Sequence, residues 1–316
     1  MLIPRLEVLF TFKKAMLFLF GKDSQLNQKE ILLNHARSGI LLALKASCLP
    51  KDTGVGVMIY NCHTVANAVY QAGYEPVFLD VTDDLRLDME DLKRKASGLS
   101  AIVVTHLFGI MNDVKGIKES YPHLVIIEDC AHAYGIEGLY GDFATFSIGQ
   151  GKPLSIGDGG ILLALNSRYL QKLEDLYKEL PDYSRSQSMV LFLKLMGRSF
   201  MYRPWIYSWL TLPLKRKRTV RSGKETISPR KMCRGIRNIY AVEKDKVKPH
   251  SPFMRVLYCQ DPKEEQEAYK NQGIDTDTHF AHCIDWAKEF GYKMSQCSNA
   301  ENLVKHLLMV PTYFER

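Results

Sequence analysis

Between residues 38 and 165, short apolar runs alternate with stretches of helical periodicity, and this alternation restricts the fold more than any other feature. The runs are rich in Val and Ile and mostly apolar throughout, as expected of strands buried on both faces of a sheet. Strand and helix in turn predict an α/β domain with a mostly parallel sheet. The predicted strands are 55–59, 76–80, 101–105, 124–128, 144–148 and 160–164, and the predicted helices are 38–47, 64–73, 88–96 and 113–121.

The chain length of 316 residues is sufficient for one large domain and a smaller one. The seven cysteines are odd in number and scattered, which favours free thiols in a reducing compartment and therefore a cytoplasmic protein. We expect a large domain at 1–180 with an amphipathic lead-in at 1–30, a basic and apolar insert at 181–235, and a small α+β domain at 236–316. Within that small domain we expect a strand at 254–259 and helices at 263–273 and 299–310.

Positive charge is concentrated in residues 185–250, which hold 17 Lys and Arg against 3 Asp and Glu, a local charge of +14. Since the whole chain carries +7, the remainder carries 7 − 14 = −7. This segment either meets an anionic partner or is a solvated loop. No recognised nucleic-acid reading element accompanies it, so nucleic acid is not expected.

Residues 188–214 are strongly apolar and aromatic, and the basic run 215–218 follows directly. Charged residues and a proline interrupt the segment, which argues against a membrane-spanning helix. Two interpretations remain open. The stretch 188–218 makes a peripheral contact with an anionic membrane at its inner face, or it forms a helical hairpin buried against the large domain or a second subunit.

Lys152 stands alone among small residues in Gly-Gln-Gly-Lys-Pro-Leu-Ser, 23 positions after Asp129 at a predicted strand end. A lysine flanked by glycines can approach a ligand closely, and desolvation lowers its pKa and makes its amine nucleophilic. A nearby carboxylate could keep a pyridinium nitrogen protonated. These are the two groups that pyridoxal phosphate requires, although a plain loop cation would show the same local pattern.

Several motifs, in order along the chain, carry a family resemblance: ARSGILLALKA, VIIEDCAHAYG and FSIGQGKPLSIGDGG. The sequence resembles the DegT/StrS family of pyridoxal-phosphate-dependent sugar aminotransferases. The resemblance implies an aspartate-aminotransferase-like fold (fold type I) and a homodimer. It also implies that a nucleotide-linked keto sugar is converted to an amino sugar with L-glutamate as amino donor, as in polysaccharide or lipopolysaccharide biosynthesis.

The resemblance also implies residue roles. Lys152 would be the catalytic Schiff-base lysine, Asp129 would hold the pyridinium proton, and His132 would lie beside the cofactor. The phosphate would be bound by Ser38, Gly39 and Ser147. Cys62 stands where the family usually has an aromatic ring stacked on the cofactor, and His63 beside it is the candidate to replace that ring.

The chain also departs from the family pattern, because the Asn-x-Arg-Met segment has no clear counterpart. Two alternatives stay open: a dehydratase of the same fold, and a non-catalytic or regulatory relative with a membrane-surface element. Dehydratases of the family typically carry histidine in place of the lysine, so Lys152 favours amination. No metal site is expected, because His279, His282, Cys283 and Cys297 lack the repeated ligand spacing of zinc sites.

Overall fold

A seven-stranded sheet forms the centre of the protein, for which a computed structural model describes residues 10–21, 30–211, 223–247, 254–278 and 280–312. Its strands are β1 (Glu30–Leu33), β2 (Gly54–Met58), β3 (Glu75–Leu79), β4 (Leu99–Thr105), β5 (Val125–Asp129), β6 (Phe143–Ser147) and β7 (Gly160–Ala164). Their order across the sheet is β1-β7-β6-β5-β4-β2-β3. Strands β2 to β6 are parallel to one another, and β7 runs antiparallel to both of its neighbours. The predicted mostly parallel α/β sheet is confirmed.

Nine α-helices precede the C-terminal part in the described residues, and α2 to α5 match the four predicted helices. They are α1 (Phe12–Phe20), α2 (Ala36–Ser47), α3 (His63–Gln71), α4 (Met89–Lys95), α5 (Val114–Ser120), α6 (Leu170–Lys178), α7 (Arg185–Met201), α8 (Pro204–Thr211) and α9 (Arg234–Glu243). Asp88 caps α4 by accepting hydrogen bonds from the amides of Glu90 and Asp91. Gly73 follows α3 with a φ of +94°, a left-handed conformation that glycine adopts without strain.

A second, two-stranded sheet lies in the C-terminal part and pairs β8 (Met254–Tyr258) with β9 (Leu307–Pro311). It is accompanied by α10 (Pro262–Asn271), α11 (Cys283–Lys288) and α12 (Ser298–Leu303). The predicted helix over 299–310 is therefore wrong in its second half. The run Leu-Leu-Met-Val is equally compatible with a buried helix or strand, and pairing with β8 selects the strand.

Buried side chains of the C-terminal part share one hydrophobic core with the large sheet. Ile284, Leu303 and Met309 belong to the same buried cluster as Met58 and Ile102 of β2 and β4. The domain boundaries expected at residues 180 and 235 remain predictions. The shared core contains residues from both sides of the second boundary.

Residues 181–235 include α7 and α8, and many of the large apolar side chains of these helices are exposed within the single chain. In the described part of the chain, no helix is long and apolar enough to cross a membrane. The basic run 215–218 and most of the lead-in, 1–9 and 22–29, lie outside the described residues.

The close packing of α2 on β6 gives a stability test at Gly39. A Cβ at this position would lie 2.7 Å from the Thr145 hydroxyl oxygen. We expect Gly39→Ala to destabilise the protein by about 1–3 kcal/mol through overpacking. We expect Gly98→Ala, where a Cβ meets nothing within 4 Å, to change stability by less than about 0.5 kcal/mol.

Urea unfolding of the cofactor-free variants measures both effects. Adding Thr145→Ala to Gly39→Ala should recover part of the loss, because it removes the clashing oxygen. Additive effects of the two substitutions would contradict the packing explanation.

Candidate active site

The polar residues at the carboxyl ends of β2, β4 and β5 form a hydrogen-bonded chain. The Asn61 side-chain amide donates to the Thr105 hydroxyl over 2.7 Å. That hydroxyl donates to Asp129 Oδ2 over 3.3 Å, and the Ala131 amide donates to Asp129 Oδ1 over 3.1 Å. Ligands of parallel sheets bind beyond this edge, so the chain orients a carboxylate where a ligand is expected.

Asp129 is only 3% exposed and makes no ion pair with any residue in the described ranges. Burial raises the pKa of its carboxyl group, and the Ala131 amide and the Lys152 charge offset this only in part. A buried carboxylate without a cation in contact is costly. The site therefore favours a ligand that brings a positive charge to Asp129.

Lys152 lies close enough to Asp129 for their charges to interact. Its side chain keeps partial contact with solvent. Protein atoms surround its ammonium group densely, and this burial lowers its pKa. The charges of Cys62 and Asp129 oppose the shift but do not cancel it. Among the described residues the amine has no hydrogen-bond or ion-pair partner. A lysine in this state is a candidate nucleophile toward a carbonyl carbon.

The loop that carries Lys152 is fixed to the start of α2. His35 Nδ1 lies 3.0 Å from Asp158 Oδ1, and a Cβ at Gly160 would lie 2.3 Å from the Ala36 amide nitrogen. Gly159 has a φ of +122°, which side chains rarely adopt. The Gly-Asp-Gly-Gly turn thus holds the lysine loop against the helix.

The three predicted phosphate ligands surround the α2 N-terminus and the end of β6. Ser38 is fully buried, and its hydroxyl donates to Asn34 Oδ1 over 2.9 Å. The close approach of Gly39 to Thr145 explains why this position has no side chain. Ser147 is half-buried at the end of β6. The start of this twelve-residue helix presents backbone amides suited to an anion. Phosphate binding by these residues remains a prediction.

Cys62 and His63 form a polar pair at the start of α3, with Sγ and Nδ1 3.9 Å apart. The Thr64 hydroxyl also donates to Cys62 Sγ over 3.1 Å. Burial favours the neutral thiol, but the interactions with His63 and Thr64 outweigh it and lower the pKa of Cys62. The His63 ring packs on Trp286 of α11, with ring centroids 4.7 Å apart. A thiol with a lowered pKa thus stands where the family resemblance leads us to expect a stacking ring.

His132 is buried between aromatic side chains. Its ring lies parallel to Phe280 at 5.9 Å and tilted against Phe108 at 5.1 Å. Both phenylalanines have positive φ values, +60° and +53°, a conformation that costs energy for such residues. The Phe108 amide donates to His132 Nδ1 over 3.3 Å, which assigns the proton of the neutral ring to Nε2.

Arg37 is a site residue that the sequence analysis missed. It follows the first residue of α2 and is partly exposed. Burial and the Arg37 charge both act to lower the pKa of His63, but the interactions with Cys62 and Glu225 outweigh them and raise it. Arg37 makes no ion pair in the part of the chain that the structure describes. The available signal was its position beside Ser38 at a predicted helix start.

Within the described part of the chain no group of three or more metal-ligating side chains occurs, and His279 lies outside that part.

Comparison with known proteins identifies the family. The model of the DegT/DnrJ/EryC1/StrS aminotransferase family matches residues 26–190, just over half of the chain. The chain belongs to this family. The matched range contains all eight predicted site residues, so the DegT/StrS resemblance is confirmed at the level of family membership.

Two curated relatives and one solved structure illustrate the similarity. GDP-perosamine synthase of Escherichia coli O157:H7 is 32% identical over 45% of the chain and 43% of its own length. L-glutamine:2-deoxy-scyllo-inosose aminotransferase of Streptomyces kanamyceticus is 31% identical over 51% and 41%. The putative sugar aminotransferase Spr1654 of Streptococcus pneumoniae, PLP-form, is 14% identical over 98% and 93%, with a TM-score of 0.67. The chain spans about two fifths of the length of the curated relatives, and the structural match shows the shared fold.

The lowered pKa of Cys62 predicts a reactive thiol. At a pH below the ordinary thiol pKa, Cys62 should be alkylated by iodoacetamide faster than the exposed Cys48. His63→Ala should slow the reaction at Cys62 and leave the rate at Cys48 unchanged. Mass spectrometry of the two peptides measures both rates in one sample. Equal loss at both cysteines would indicate a general change in the fold.

The raised pKa of Asp129 predicts a pH-dependent stability difference. The folded protein binds the Asp129 proton more tightly than the unfolded chain does, and this difference stabilises the fold at low pH. The contribution is lost as the pH rises through the raised pKa, because the unfolded chain releases the proton at lower pH than the folded protein does. The free energy of unfolding of cofactor-free Asp129→Asn, relative to the wild type, should therefore increase as pH rises from about 4. Urea unfolding across pH measures it, and a constant difference would contradict the shift.

Proposed function

We propose that the protein is a pyridoxal-phosphate-dependent aminotransferase that converts a nucleotide-linked keto sugar to an amino sugar. The observation that carries this proposal is the pair of Lys152 and Asp129. The half-buried Lys152 and the buried Asp129 affect each other's pKa, and neither has an ion-pair partner among the described residues. The pair fits a ligand that presents an aldehyde to one and a cationic ring nitrogen to the other.

Pyridoxal phosphate, when bound, supplies that aldehyde together with an electron-withdrawing ring. The chain's own residues do the rest. Asp129 would hold a proton on the ring nitrogen through its carboxylate, which Thr105 and Ala131 orient. Lys152 Nζ, with a lowered pKa, would accept a proton from a substrate carbon and return it to another atom. The amides at the start of α2 would receive the phosphate.

The substrate class rests on the relatives and on Lys152. One of the two curated relatives is a GDP-perosamine synthase, and the other is an aminotransferase of 2-deoxy-scyllo-inosose. We propose L-glutamate as amino donor, with L-glutamine as the alternative that the second name suggests. The retained lysine favours amination over the dehydratase reaction. By family resemblance the active unit would be a homodimer in the cytoplasm, and the unpaired state of all seven cysteines supports a reducing compartment.

Covalent capture of the cofactor tests the assignment of Lys152. Wild-type protein mixed with pyridoxal phosphate and reduced with borohydride should gain the cofactor mass on the peptide that contains Lys152. Lys152→Ala should lose this label, while Lys172→Ala, an exposed lysine of α6, should retain it. Labelling spread over surface lysines, with no preference for residue 152, would overturn the assignment.

Turnover distinguishes the reactions. With GDP-, UDP- or dTDP-linked keto sugars and L-glutamate, product mass should report amination, and Lys152→Ala should reduce its rate by about 10²–10⁴-fold or more. A deoxygenated product formed without an amino donor would favour the dehydratase alternative. Cofactor labelling without either product across this panel would favour a regulatory relative.

A further inference from the structure

Helix α1 and helix α7 are neighbours, although some 170 residues separate them in the chain. The Phe10 amide, just before α1, donates to the Ser199 hydroxyl over 2.8 Å. Phe192 of α7 contacts Phe18 at 5.3 Å and Phe10 at 5.9 Å between ring centroids. Residues 10–21 and helix α7 therefore pack against each other.

The outer sides of these helices expose large apolar side chains. Phe12 is 82% exposed, and Trp205 and Trp209 of α8 are 62% and 75% exposed. An open, shallow depression of about 440 Å³ lies beside the exposed residues of α1. We call the exposed set the apolar–basic face, and its apolar members are Phe12, Met16, Leu19, Phe20, Met189, Val190, Leu193, Met196, Phe200, Met201, Trp205 and Trp209.

Every charged residue of the same segments is basic. Residues 10–21 contain two lysines and residues 185–211 contain four basic residues, and neither segment has an Asp or Glu. None of the six makes an ion pair within the described ranges. The basic members of the face are Lys13, Lys14, Arg185, Lys194, Arg198 and Arg203. Unpaired cations among exposed aromatic residues call for a partner that is anionic and also accepts apolar side chains.

We propose that the apolar–basic face docks on the surface of an anionic lipid bilayer. A bilayer surface combines negative headgroups with an apolar layer directly beneath them, and tryptophan is favoured at that boundary. The three helices have 9, 17 and 8 residues and lie on the membrane without crossing it. Four more basic residues follow at 215–218, beyond the described part of this segment.

A second copy of the chain is a poorer partner for this face. A two-fold contact places the same surface patch against itself, so the interface would contain twelve cations. No acidic residue of the face is available to neutralise them. Like charges brought together in this way cost energy, whereas anionic lipid removes the conflict. This docking is independent of the proposed aminotransferase activity, because no residue of the candidate active site takes part.

Vesicle flotation of the full-length protein tests the proposal. The protein should float with vesicles of phosphatidylglycerol and phosphatidylcholine, and bind vesicles of pure phosphatidylcholine much more weakly. The double variant Lys194→Glu/Arg198→Glu should bind the anionic vesicles at least about 25-fold more weakly, since each cation near such a surface contributes roughly fivefold. Trp205→Ala/Trp209→Ala should weaken binding to both kinds of vesicle.

The matched control is Lys172→Glu/Lys270→Glu, which reverses two exposed lysines on other helices and should leave flotation unchanged. Light scattering should give the same molecular mass for all variants, and borohydride capture of pyridoxal phosphate should be retained. Failure of the wild type to float with anionic vesicles would overturn the proposal. A loss of molecular mass in the face variants would overturn it too, because it would make the face a contact between copies.

Discussion

The placement of a lysine near a buried carboxylate, without an ion pair between them, is the constraint on which the candidate active site depends. Asp129 ends a strand in the middle of the sheet, where water is excluded, and hydrogen bonds from Thr105 and Ala131 hold its two oxygens. Lys152 influences it electrostatically but forms no ion pair with it. Each group would be better stabilised by a partner in direct contact, and the two do not form an ion pair with each other. Such an arrangement costs stability and leaves both groups available to a ligand.

Much of this site could be predicted from sequence because its chemistry is carried by local motifs. The Gly-Asp-Gly-Gly turn, the strand before Asp129 and the helix start at Ser38 are each readable within ten residues. The family comparison confirms the relationship that these motifs indicate. What holds the motifs together could not be predicted, because the contacts between Asn61 and Thr105 and between His35 and Asp158 join distant parts of the chain.

The incorrect and missing elements have a related explanation. Strand β1 has four residues and lies at the sheet edge, too short for periodicity to reveal it. The run 307–310 becomes a strand only because β8 lies beside it. The surroundings of His132 depend on Phe280, which arrives from the C-terminal part of the chain. In each case tertiary contact decides what local sequence leaves ambiguous.

The core shared by the C-terminal part and the large sheet has a consequence for how the molecule denatures. Asp80, after β3, accepts hydrogen bonds from the amides of Asn299 and Ala300 in the first turn of α12. Ala300 and Leu303 of this helix belong to the shared core. Melting the last sixty residues would expose one side of β2, β3 and β4 and withdraw Phe280 and Trp286 from His132 and His63. The transition should therefore be all-or-none, with the candidate active site and the C-terminal two-stranded sheet lost together.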